Sequence, residues 1–155
     1  MKYGFVKVAA AIPLVKVADC QFNAQQAGRL ISEADSKGVQ VIIFPELNLT
    51  GYSCGDLFGQ SLLLEQAEMA LMQVMNETRQ LDIISIVGMP VTVNSTLMNC
   101  AVVLQRGKIL GVVPKTYLPN YKEFYEQRWF APSSAHADNT MVRLCGQQVP
   151  VSANL

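Results

Sequence analysis

The sequence predicts an α/β protein with mixed sheets. Two observations carry this. Apolar strand-like runs alternate with two helical stripes over the first half, and the second half holds further apolar runs joined by short turns with no helix between them. The order strand, helix, strand, helix, strand, then hairpins is not that of a plain doubly wound sheet. No glycine-rich phosphate loop follows the first strand, so a dinucleotide-binding arrangement has little support.

The first run, Phe5 to Ile12, is apolar and closed by Pro13, and reads as a buried strand. Asn23 is suited to cap a helix reaching about Lys37, because Ala27, Leu30, Ile31 and Ala34 fall on one face of a 3.6-residue period before Gly38. Val39 to Phe44 is a second strand stopped by Pro45, and Asn48 to Gly59 reads as a polar, glycine-rich loop. From about Gln60 to Leu81 a second helical stripe runs through Leu63, Leu64, Ala67, Leu71 and Val74, bordered by Met69, Met72 and Met75, which are expected to fill the core. Ile83 to Met89, Met98 to Gln105 and Lys108 to Val113 are three more strands, the last two joined by an Arg106-Gly107 turn. A long aromatic and polar segment runs from Thr116 to Asn139. One more hairpin is expected from Met141 to Cys145 and Gln148 to Val151, around Gly146-Gln147.

Twelve basic and twelve acidic residues balance in the 155-residue chain, with no basic stripe of the kind a nucleic-acid surface requires. The N-terminal apolar run is too short to cross a membrane. Cys20, Cys54, Cys100 and Cys145 are scattered without a CxxC pair, and the one histidine, His136, has no ligand-like neighbour in sequence. Reduced, buried thiols in a cytoplasmic protein with no bound metal are the expectation.

Glu46 and Lys115 carry the chemical argument. Each directly follows a buried strand, where layered α/β proteins assemble their sites. An acid and a base held there can form a close pair with perturbed proton affinities. On position alone, the alternative that each opens an ordinary surface loop stays open.

The surrounding residues add a resemblance. Phe44-Pro45-Glu46-Leu47, continuing through Thr50-Gly51-Tyr52, resembles the glutamate motif of the nitrilase, or carbon–nitrogen hydrolase, superfamily. Pro114-Lys115-Thr116-Tyr117-Leu118-Pro119 resembles its lysine motif, and Glu126-Gln127-Arg128-Trp129-Phe130 the acidic segment that follows. The opening Val8-Ala9-Ala10-Ala11, with Val17-Ala18-Asp19 and Asn23, is similar to the glutaminase domain of glutamine-dependent NAD synthetases. So are Asp56-Leu57-Phe58 and Leu118 to Glu126.

That resemblance implies a nitrilase-like four-layer α-β-β-α sandwich, incomplete in this chain. Residues 1–155 would then form part of a carbon–nitrogen hydrolase domain, with the synthetase domain, its ATP and its magnesium lying elsewhere. It implies that a thiolate attacks the side-chain amide of glutamine and forms a thioester as ammonia leaves. Glu46 would be the acid–base group, Lys115 the oxyanion stabiliser, and Glu126 a second acid beside the lysine. Tyr52 and Tyr121, with Phe124, would shape the glutamine pocket. None of the four cysteines has the expected setting of the nucleophile, which the resemblance places beyond Leu155, so this chain alone is expected to be inactive. Uncovered strand edges and an open apolar face would favour homo-oligomers. Two other readings remain: a free-standing amidase acting on an ω-amide or N-carbamoyl compound, and a non-catalytic remnant or interaction module.

Overall fold

The computed structural model describes residues 4–135 and 140–154. His136, and part of the aromatic segment predicted from Thr116 to Asn139, lie outside the described residues. Seven strands form one mixed sheet: β1 (Val8–Ala10), β2 (Val41–Ile43), β3 (Ile84–Val93), β4 (Thr96–Gln105), β5 (Lys108–Pro114), β6 (Thr140–Leu144) and β7 (Gln147–Val151). Their order across the sheet is β1-β2-β3-β4-β5-β7-β6. β1, β2 and β3 run parallel, β3-β4-β5 form an antiparallel meander, and β7 pairs parallel to β5 and antiparallel to β6.

The two crossovers are helices α1 (Cys20–Ser36) and α2 (Ser61–Thr78). Both β-α-β steps move in the same direction across the sheet, so right-handed connections put both helices on one face. There they pack on each other, and Ala24, Ala27, Ile31, Ala67, Leu71 and Val74 share a core with Ile42, Val87, Met89, Val102 and Val112 from the strands. The opposite face is only partly covered. Ile43 pairs with Ile86 and Ile86 with Val103, while Gly88 pairs with Ala101 and Ala101 with Val113, which sets an apolar row on that side. Ile43 in this row is 49% exposed. The mixed α/β sheet agrees with the predicted class. The described residues supply one sheet and one helical layer of the four-layer arrangement.

Several boundaries differ from the sequence reading. Helix α1 starts at Cys20, and its cap is Asp19, whose carboxylate accepts from the Phe22 N–H at 3.1 Å. Asn23 instead lies buried within the helix. Its side chain exchanges hydrogen bonds with the backbone of Lys16 and donates to the Leu49 carbonyl, tying two loops together. Only Val8–Ala10 of the first apolar run is strand, since only these residues pair with β2. Tyr52–Gly59, which reads as loop, forms kinked 3-10 turns. Strand β3 continues through Pro90 to Val93 and turns at Asn94-Ser95, with positive φ at both. The final hairpin turns at Cys145-Gly146, one residue before the expected Gly146-Gln147. Met75 is core, but Met69 and Met72 are exposed because they face away from the sheet.

Candidate active site

The glutamate segment crosses the middle of β3 at very short range. A Cβ on Gly88 would lie 2.4 Å from the Leu47 nitrogen and 2.8 Å from the Pro45 carbonyl oxygen, so only glycine lets the two backbones meet there. The crossing is stitched by the Gly88 N–H donating to Asn48 Oδ1 at 2.7 Å and the Leu49 N–H donating to the Gly88 carbonyl at 3.1 Å. Leu47, fully buried, has φ of +51°, an uncommon left-handed conformation for a leucine. The burial of Leu47 and Leu49 therefore fixes the segment, and Glu46 projects from it.

Lys115 leaves the end of β5 and meets Glu46 there. Its Nζ lies 2.8 Å from Glu46 Oε1, 3.0 Å from Glu126 Oε1 and 2.9 Å from Glu126 Oε2. Burial disfavours the lysine's charge, but the hydrogen bonds it donates to Glu46 and Glu126, with their negative charges, outweigh it and raise its pKa above the ordinary 10.5. Glu126 is only 2% exposed and sits in a 3-10 turn (Glu126–Arg128). The Tyr52 hydroxyl donates to Glu126 Oε1 at 2.6 Å. Burial of that hydroxyl, the bond to Glu126 and the charges of Glu126 and Glu46 raise the Tyr52 pKa. On the outer side, Asp56 accepts from Arg128 at 2.7 and 2.9 Å and from the Trp129 indole at 2.9 Å. These bonds hold the Asp56 carboxyl far below the usual range and fasten the Tyr52 loop to the Glu126 turn.

The structure thus brings together Glu46, Lys115, Glu126 and Tyr52. It does not bring Tyr121 and Phe124 into that cluster: Tyr121 is 64% exposed, and its ring packs edge-on against Phe124 at 6.0 Å. One residue escaped the sequence reading. Asn99 of β4, buried, donates from its side-chain amide to Glu46 Oε1, and its backbone carbonyl accepts the Lys115 N–H at 2.8 Å. The available signal was a lone asparagine inside an apolar strand.

All four cysteines are free, and burial raises every thiol pKa: Cys20 to about 11, Cys100 and Cys145 to about 12, and Cys54 upward as well. None has the lowered pKa of an activated thiol. Among the described residues, no group of three or more histidines, cysteines or acids is placed to hold a metal ion. The two clustered carboxylates are instead matched by the ammonium of Lys115. A cleft beside the cluster, lined by Ile43, Glu46, Ile86, Ala101, Val113 and Lys115, opens onto the apolar row of the sheet.

An acid and an ammonium beyond the ends of strands, with a second acid on a 3-10 turn beside them, are suited to move a proton and to face a developing negative charge. The sequence profile of carbon-nitrogen hydrolases matches residues 7–152. The chain belongs to the carbon-nitrogen hydrolase family. It is 41% identical over 129 residues to the glutamine-dependent NAD(+) synthetase of Mycobacterium leprae, which covers 83% of this chain and 19% of that relative. The fold superposes on the glutamine-dependent NAD(+) synthetase of Cytophaga hutchinsonii with a TM-score of 0.83, at 25% identity over 95% of this chain and 25% of that one. An amidase from Nesterenkonia sp. shares the fold, with a TM-score of 0.69 and 18% identity over 95% of this chain and 54% of the amidase. The chain therefore spans about a fifth of the length of this M. leprae relative.

Proposed function

We propose that this carbon-nitrogen hydrolase chain forms part of a glutaminase domain that releases ammonia from glutamine for NAD synthesis. The observation that carries the reading is the Lys115 ammonium held between Glu46 and Glu126. In this reading Glu46 takes the proton of an attacking thiol and returns it to the departing ammonia. Lys115 stabilises the tetrahedral oxyanion, and Glu126 with Tyr52 sets the position of the lysine. Tyr121 and Phe124 would then act at the mouth of the glutamine pocket.

The attacking thiol is not one of the four cysteines here, whose proton affinities are all raised, so the isolated chain is inactive in this reading. Residues 1–155 would be one part of the hydrolase domain, and ATP and magnesium would belong to a synthetase part with its own residues. The sequence similarity to NAD synthetases supports glutamine as the substrate. The open sheet face supports self-association, and four free cysteines suit a reducing, cytoplasmic setting. No described helix is long and apolar enough to cross a membrane.

The test places residues 7–152 of this chain in the matching position of the M. leprae synthetase. The chimera should form NAD with glutamine. Glu46→Gln and Lys115→Ala should each lower that rate by roughly 100-fold or more, in the range of lost acid–base or oxyanion groups. Synthesis driven by added ammonia should persist and serves as the folding control. Glutamine-driven synthesis that survives Glu46→Gln would sink the assignment.

A further inference from the structure

We infer that Asn99 is a positioning residue that holds Glu46 by Oε1 against Lys115 and so leaves Oε2 as the oxygen that exchanges protons during amide hydrolysis. The inference rests on the proposed glutaminase reading for its chemistry, but its geometry stands apart from it. Asn99 is 3% exposed, between the buried Met98 and Cys100 of β4. A buried amide costs stability unless its hydrogen bonds are made. The Asn99 side-chain amide meets that demand by donating to Glu46 Oε1.

Two donors therefore converge on one oxygen of Glu46: Asn99 Nδ2 and Lys115 Nζ. Among the described residues, Oε2 has no donor. The Glu46 side chain is 41% exposed, so a single bond to Lys115 would leave the carboxylate free to turn into water. Asn99 removes that freedom, and through its carbonyl it also fixes the backbone of Lys115. A neutral donor is required at this point. An aspartate would set a third carboxylate beside Glu46, and an apolar residue would supply no donor.

The test reads Lys115, whose charge is faced by Glu46 and Glu126, with Tyr52 behind Glu126. Lysine carbon-13 signals of the 155-residue chain are followed by NMR through the alkaline range in wild type, Asn99→Leu, Glu46→Gln and the double variant. If Asn99 holds Glu46 in place, Asn99→Leu lowers the Lys115 midpoint by about half or more of the fall that Glu46→Gln causes. In the Glu46→Gln background the same change then has no further effect, as a double-mutant cycle requires. An unmoved midpoint in folded Asn99→Leu overturns the inference, as does an equal fall with Glu46 already replaced. Amide spectra establish folding, and Asn99→Ala serves in the same way if the leucine variant does not fold. No hydrolysis is needed, so a failure here leaves the glutaminase reading intact, and a failed chimera leaves the positioning role intact.

Discussion

Lys115 links two carboxylates of unlike surroundings, one half-exposed and one buried. Removing it strands Glu126, whose side chain is 2% exposed, without its counter-charge. Lys115→Met should therefore cost about 3–5 kcal/mol, the range for breaking one side of a buried ion pair. Urea unfolding at neutral pH measures this. The sign of the pH dependence follows from the raised lysine pKa. A folded-state pKa above the unfolded value contributes stability that is fully present below the ordinary pKa near 10.5. It is lost as pH rises through the folded value. Wild type should accordingly lose stability on the alkaline side of that pH, and Lys115→Met should lose this part of the slope. An identical alkaline slope in both proteins would contradict the pairing.

At the scale of elements, Gly88 decides whether the Glu46 segment can lie across β3. Gly88→Ala places a carbon where the Leu47 nitrogen and Pro45 carbonyl now sit, so strand or loop must move. The expected loss is about 1–3 kcal/mol, as for other overpacked positions, read as a lowered urea midpoint at unchanged slope. Much of the element order was legible from periodicity, because α1 and α2 present clear apolar stripes to the sheet. The ends were less legible. Asn23 reads as a cap by residue type, yet its amide is consumed by the Lys16 and Leu49 backbones, a demand invisible in local sequence. Asn94-Ser95 turns a hairpin without a glycine, a weaker turn signal than Asn-Gly, so the end of β3 was poorly marked. Glu46, Lys115 and Glu126 were legible through motif and strand position. Asn99 was not, because its role depends on a contact 53 residues away.

The whole molecule has one face packed by helices and one apolar row partly open to solvent. Ile43, Ile86 and Val103 share that row, and exposed Val8, Ile12 and Leu14 lie on the adjoining N-terminal segment. Contiguous exposed apolar surface favours association. Sedimentation of the 155-residue chain should show concentration-dependent self-association, which Ile43→Lys should weaken. A monomer at every concentration tested would contradict this. The helical face offers less reason to associate, since its exposed Met69 and Met72 stand among Gln66, Gln73 and Asn76.

The three carboxylate oxygens around Lys115 Nζ have a consequence for selectivity. An ammonium has three hydrogens: Glu46 takes one, and the two oxygens of Glu126, too close together to take one each, share a second. The third can meet a substrate oxygen without displacing either carboxylate. An oxygen that has gained a full negative charge accepts that hydrogen more strongly than a neutral amide carbonyl does. In the proposed reaction the lysine would thus favour the tetrahedral species over the ground state, the differential binding that accelerates a reaction without tightening the grip on its substrate.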